Sequence, residues 1–148
     1  MKKRMKVVHD NFVLWYSNGI FACTDGEKIY IEDEFYNLSH SLRKFIIMHE
    51  IAHVELQHGG EDRDIKQEIE ADLYAYEHTS VEVAEEFIEL LENMKKACDY
   101  NEMQARISIL KHEITLKRTT ETILKSNDEE RIDRYVQLLE EVADIFKF

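Results

Sequence analysis

The period of the hydrophobic positions changes once along the chain. Over residues 5–32, apolar, β-branched and aromatic residues fall in four short runs: Met5–Val8, Phe12–Tyr16, Ile20–Thr24 and Lys28–Glu32. Runs of this length and make-up predict strands. Ser17-Asn18-Gly19 and Asp25-Gly26 supply turn chemistry between them, and Asp25-Gly26 suits a two-residue hairpin loop with positive φ. The expectation is a small antiparallel meander of three or four strands.

Beyond residue 37 the spacing becomes three and four. Leu42, Phe45, His49, Ala52 and Leu56 follow one helix face, after capping candidates at Asn37–Ser39. Ile46, Ile47, Ile51 and Val54 widen the apolar surface beyond one stripe, which predicts a buried helix. Gly59-Gly60 predicts its end. A second helix is expected near Ile65–His78, with Ile65, Ile69, Leu73 and Tyr76 as its apolar stripe. Thr79 with Glu82 reads as a capping box for a third, carrying Ala84, Phe87, Leu91, Met94 and Cys98. A fourth near Glu102–Lys125 uses Met103, Ile107, Leu110 and Ile114, and a fifth near Asp128–Phe146 uses Ile132, Tyr135, Leu139, Val142 and Phe146. This near-heptad spacing predicts helices packed on one another, within the chain or between copies in a homo-oligomer. The fold class is therefore expected to be α+β and mostly helical. A small antiparallel or mixed sheet would pack on the first helix, with a core at residues 1–78 and a helical extension at 79–148.

Composition sharpens the picture. The 148 residues include no proline and four glycines, too few for an all-β chain rich in turns. The net charge is −12, which argues against direct binding to nucleic acid or to an anionic membrane. The charge is uneven: residues 61–100 hold 13 acids and 4 bases. The basic start Met1-Lys2-Lys3-Arg4 runs into His9, Asp10 and Asn11 rather than the apolar stretch of a signal peptide. No run approaches the length of a membrane span. Cys23 and Cys98 show no paired spacing, so two free thiols in a reducing cytoplasm are expected.

Chemistry enters at His49-Glu50-Ile51-Ala52-His53, an H-E-x-x-H pattern on the helix expected to be buried. Residues i and i+4 share a helix face, so both imidazoles can converge on one zinc ion, while Glu50 can take a proton from the attacking water. Burying two histidines and a glutamate without partners is costly, and a metal relieves that cost. A catalytic zinc site needs a third protein ligand. Glu68 on the second helix is the leading candidate, with His58, Asp64 and Glu70 as the others. Asp72, four residues after Glu68 on the same face, can accept a hydrogen bond from the far nitrogen of a ligating histidine and fix its orientation. Ala71 permits close approach of the two helices. Glu70 lies about 200° around the helix from Glu68, so both cannot face the ion. His58, Tyr74 and Tyr76 are candidates for stabilising an oxyanion. His9, His40, His78 and His112 are isolated and expected to be ordinary surface or core histidines.

Lys28-Ile29-Tyr30-Ile31, Leu42–Ile47, the H-E-x-x-H segment with His58, and Glu68-x-x-Ala71-Asp72-x-x-Ala75 together resemble the ImmA/IrrE-type metallopeptidases, gluzincin-like zinc proteases of bacteria, phages and mobile elements. The resemblance covers about residues 20–78. It implies a small sheet on the active-site helix, zinc held by His49, His53 and Glu68, and a regulatory role in which a DNA-binding repressor is cleaved. Asp72 stands where that family usually has Asn, and the family's Met-Pro segment has no counterpart here. The function expected is a cytoplasmic, zinc-dependent endopeptidase acting on a protein or peptide, such as a basic DNA-binding protein, with Glu50 as general base. The rival expectation is a non-catalytic, acidic protein on the same scaffold, one that binds another protein or mimics nucleic acid.

Overall fold

The computed structural model describes residues 6–9, 21–58, 64–95, 100–126 and 129–145. Three short strands open the chain: β1 (Lys6–His9), β2 (Ala22–Thr24) and β3 (Lys28–Ile31). A 3-10 turn at Asp33–Asn37 leads into α1 (His40–Glu55), followed by α2 (Ile65–Glu77), α3 (Val81–Met94), α4 (Tyr100–Ser126) and α5 (Glu129–Ile145). The fold is α+β and mostly helical, as expected.

The sheet differs from a meander. Its order is β1-β3-β2, with β3 at the centre. β2 pairs antiparallel with β3, Cys23 opposite Tyr30, but β1 runs parallel to β3 with Val7 opposite Ile29. A parallel neighbour cannot be joined by a hairpin and needs a crossover. The strand expected at Phe12–Tyr16 lies outside the described residues. The β2–β3 turn has three residues between strand ends, not two. The Asp25 side chain closes it, with Oδ1 accepting from Glu27 N at 2.9 Å and Lys28 N at 2.8 Å. Gly26 takes φ +95°, where a Cβ would be strained. Along β3, Ile29 and Ile31 are buried, while Lys28 is exposed and Tyr30 half-buried, the alternation of a strand with one face on the core.

The chain divides into two compact units, Met1–Ile107 and Ser108–Phe148. In the first, α1 packs against α2, α3 and strands β2 and β3. Phe45 of α1 is fully buried and stacks on Phe87 of α3, ring centroids 4.2 Å apart. Ala52, Ala71 and Ala75 are fully buried. Side chains this small let α1 and α2 approach closely, as expected of Ala71. In the second unit, the described residues of the stripe expected on α5 are not fully buried, and its Phe146 lies outside the described residues. Ile132 and Leu139 are exposed, as is Val136, while Tyr135 and Val142 are half-buried. Among the described residues no helix is long and apolar enough to cross a membrane. Cys23 is buried, and Cys98 lies outside the described residues.

Helix ends follow side-chain chemistry. Ser39 caps α1, its hydroxyl accepting from Leu42 N at 3.1 Å. Ser80, not Thr79, caps α3; the Thr79 hydroxyl instead donates to Ala75 O at 2.7 Å. Asp64 and Gln67 form a reciprocal capping box at the start of α2. α1 ends before the two glycines. Leu56 is its cap and Gln57 adopts φ +57°, the left-handed conformation usually given to glycine. His58 N then donates to His53 O at 2.8 Å and Gln57 N to Val54 O at 3.1 Å, a Schellman closure. Gln57→Gly should therefore stabilise the protein by about 0.5–1 kcal/mol in urea unfolding, since it removes the cost of a left-handed Cβ. A loss of stability would contradict this reading of the helix end.

Candidate metal centre

α1 carries the two histidines one turn apart, and both are buried. Their rings meet edge to face with centroids 4.8 Å apart, and the two Nε2 atoms lie 3.1 Å from each other. α2 brings Glu68 to the same point, Oε2 at 3.0 Å from His49 Nε2 and Oε1 at 3.4 Å from His53 Nε2. One ligand atom from each of the three residues lies within 4.8 Å of the others. A tetrahedral first-row ion with bonds of about 2.0–2.1 Å separates its ligand atoms by roughly 3.3–3.4 Å. The two imidazole nitrogens, 3.1 Å apart, and the Glu68 carboxylate, with one oxygen 3.0 Å from His49 Nε2 and the other 3.4 Å from His53 Nε2, are grouped on the scale of such an ion's ligands. Glu50, adjacent to His49, is 5% exposed.

The far side of His49 faces Asp72 of α2. Its Nδ1 lies 2.7 Å from Asp72 Oδ1. Asp72 is gripped in turn by Arg106 of α4, with Nε donating to Oδ2 at 2.8 Å and Nη2 to Oδ1 at 2.9 Å. This is a two-pronged fork on a buried carboxylate. The guanidinium also lies over the Phe87 ring, 5.7 Å from its centroid. Arg106 is the functional neighbour that sequence reasoning missed. The signal was an arginine three residues after Met103 and four before Leu110, on the apolar stripe of its own helix, where a charge needs an acidic partner.

The other third-ligand candidates are placed elsewhere. Asp64 is the helix cap of α2. His58 turns back over the last turn of α1, its Nδ1 2.9 Å from His53 Nδ1, and its Nε2 meets Glu70 Oε2 at 3.0 Å. Glu70 thus points away from the group formed by Glu68. Of the oxyanion candidates, His58 is engaged in these contacts, Tyr74 stacks on His78 with centroids 4.1 Å apart, and Tyr76 is buried.

The electrostatics follow from burial and pairing. Burial opposes charge on His49, but hydrogen bonds to Asp72 and Glu68 outweigh it and hold its pKa up to about 10. Burial also opposes charge on Glu68, yet hydrogen bonds from His49 and His53 carry its carboxyl far below the usual range. Asp72 is lowered against burial by the Arg106 charge and its hydrogen bonds, then by His49. The linkage has a definite sign. Lowered carboxyl values stabilise the fold above their unfolded values of 3.8 and 4.5 and lose that contribution on acidification. A raised histidine stabilises fully below 6.5 and loses its contribution as pH rises toward 10. Chelator-treated protein should therefore melt highest between about pH 4.5 and 6.5 and progressively lower toward pH 10. A melting temperature that rises steadily from pH 6 to 10 would contradict this assignment.

A model of the family described as Peptidase U49 matches residues 6–110, a span that contains His49, Glu50, His53, Glu68, Asp72 and Arg106. The chain belongs to the peptidase U49 family. No curated protein and no solved structure matches it. U49 membership agrees with the expected peptidase class and is not specific to the ImmA/IrrE type. In this U49 chain, the His49–His53–Glu68 group is a site that can bind a metal.

Proposed function

We propose that the protein is a zinc-dependent endopeptidase with a regulatory role. The observation that carries the reading is the convergence of His49 Nε2, His53 Nε2 and a Glu68 carboxylate oxygen in a peptidase-family chain. These three residues would hold the ion. When bound, zinc polarises a scissile carbonyl and lowers the pKa of water toward neutrality. The chain's own residues do the rest. Glu50, beside His49 on α1, takes a proton from the attacking water and later passes it to the leaving amine. Asp72, clamped by Arg106, accepts from His49 Nδ1 and so keeps Nε2 directed at the ion.

The substrate on this reading is a basic protein, such as a DNA-binding repressor, in keeping with the ImmA/IrrE resemblance. Exposed Glu77, Glu82, Glu85 and Glu89 on α2 and α3 support a basic partner through long-range attraction. The test is metal analysis of protein purified without chelator, beside His49→Ala and Glu68→Ala. One zinc per chain is expected in the wild type, with near-complete loss in both variants. Full zinc retention by Glu68→Ala would reassign the third ligand, and wild-type protein without metal would overturn the proposal.

A further inference from the structure

His58 and Glu70 lie beside the metal site, and the proposed chemistry uses neither. His58 is 8% exposed, so its two ring nitrogens need partners inside the protein. It has one on each side: His53 Nδ1 at 2.9 Å and Glu70 Oε2 at 3.0 Å. The proton assignment along this line follows from elementary bookkeeping. A His53 that offers its Nε2 lone pair to an ion carries its proton on Nδ1 and donates it to His58 Nδ1. A neutral His58 then carries its own proton on Nε2 and donates it to Glu70. Every donor has an acceptor, and the line ends on a carboxylate whose side chain is 42% exposed.

The backbone places His58 there deliberately in a physical sense. The left-handed Gln57 closes the Schellman turn, and His58 N donates to the carbonyl of His53, the residue its ring also touches. A helix continued through residue 58 would carry that ring about 140° around the axis from His53, by the 100° step over five residues. α2 supplies the other end, since Glu70 sits on a different face from Glu68.

We infer that His58 is a positioning residue for zinc binding: it fixes the tautomer and ring orientation of His53, and Glu70 anchors it. The inference rests on the metal-site reading above. It makes the two ligating histidines unequal in support. A buried carboxylate and guanidinium brace His49, whereas a neutral imidazole backed by a partly exposed carboxylate braces His53.

The test is zinc affinity of the full chain by competition with a chromophoric chelator, together with the visible spectrum of the cobalt-substituted protein. His58→Ala should weaken zinc binding by about 10–100-fold and change the cobalt spectrum at saturation. In His58→Asn the side-chain oxygen can still accept from His53 Nδ1, so most of the affinity should return. Glu70→Ala should weaken binding in the wild-type background and have no effect in the His58→Asn background, where the link to Glu70 is already cut. A His58→Ala protein with wild-type zinc affinity and cobalt spectrum would overturn the inference and leave the metal site standing. Should His58→Ala fail to fold, His58→Asn and Glu70→Ala carry the test, and equal effects of Glu70→Ala in both backgrounds would overturn it. Wild-type protein that binds no zinc would overturn both readings together.

Discussion

Glu50→Gln should lower peptide hydrolysis by about 10²–10⁴-fold while zinc stays bound at wild-type stoichiometry. The substitution keeps the size of a side chain that is 5% exposed, so little packing is lost. It removes only the capacity to accept and return a proton. Glu50 stands outside the His49–His53–Glu68 group, so metal content has no reason to fall. Metal analysis and cleavage of a basic protein substrate, measured on the same preparation, separate the outcomes. Unchanged turnover would remove Glu50 from the mechanism. Loss of zinc together with activity would show that Glu50 supports the site rather than the chemistry.

Arg106→Met should destabilise the fold by about 3–5 kcal/mol, because it strips a buried carboxylate of its fork and leaves the charge under-compensated. The Asp72 side chain is 2% exposed, and Arg106 supplies two of its hydrogen bonds. Against a typical total of about 5–15 kcal/mol, a loss of this size approaches unfolding. Zinc affinity should fall as well, since Asp72 orients His49. Urea unfolding with and without zinc measures both effects. Adding Asp72→Asn to Arg106→Met should recover part of the stability, because the stranded charge is gone. A cost below about 1 kcal/mol for Arg106→Met alone would mean that His49 and solvent suffice for Asp72.

What was legible in advance was local. The i, i+4 spacing of His49 and His53, and again of Glu68 and Asp72, sets shared faces on α1 and α2 by helix geometry alone. The small residue at 71 signalled close approach. What failed to show depends on pairing at a distance or on a single backbone angle. Parallel pairing of β1 with β3 is a choice among partners that strand composition does not encode. Arg106 meets Asp72 across 34 residues, and a division expected after residue 78 had set it in a helical extension. His58 was weighed as a ligand because its role depends on the left-handed turn at Gln57, a conformation that glutamine seldom adopts. Thr79 and Ser80 are adjacent hydroxyls with equal capping chemistry, and the turn geometry chose the second. The apolar stripe of α5 was read correctly as a helical period, but not that Ile132 and Leu139 on it are exposed, since periodicity reports a face and not what covers it.

The fully buried alanines of α1 and α2 have one more consequence. Ala52 lies three residues after His49 and Ala71 three after Glu68, so each shares a face with a ligand. On the proposed zinc reading, the packed helix pair is thus also a spacer for the His49–His53–Glu68 group. On that reading, the small side chains at these buried positions would bear on how far the carboxylate stands from the imidazoles. A larger side chain at either position would then shift the His49–His53–Glu68 group without replacing any of its members.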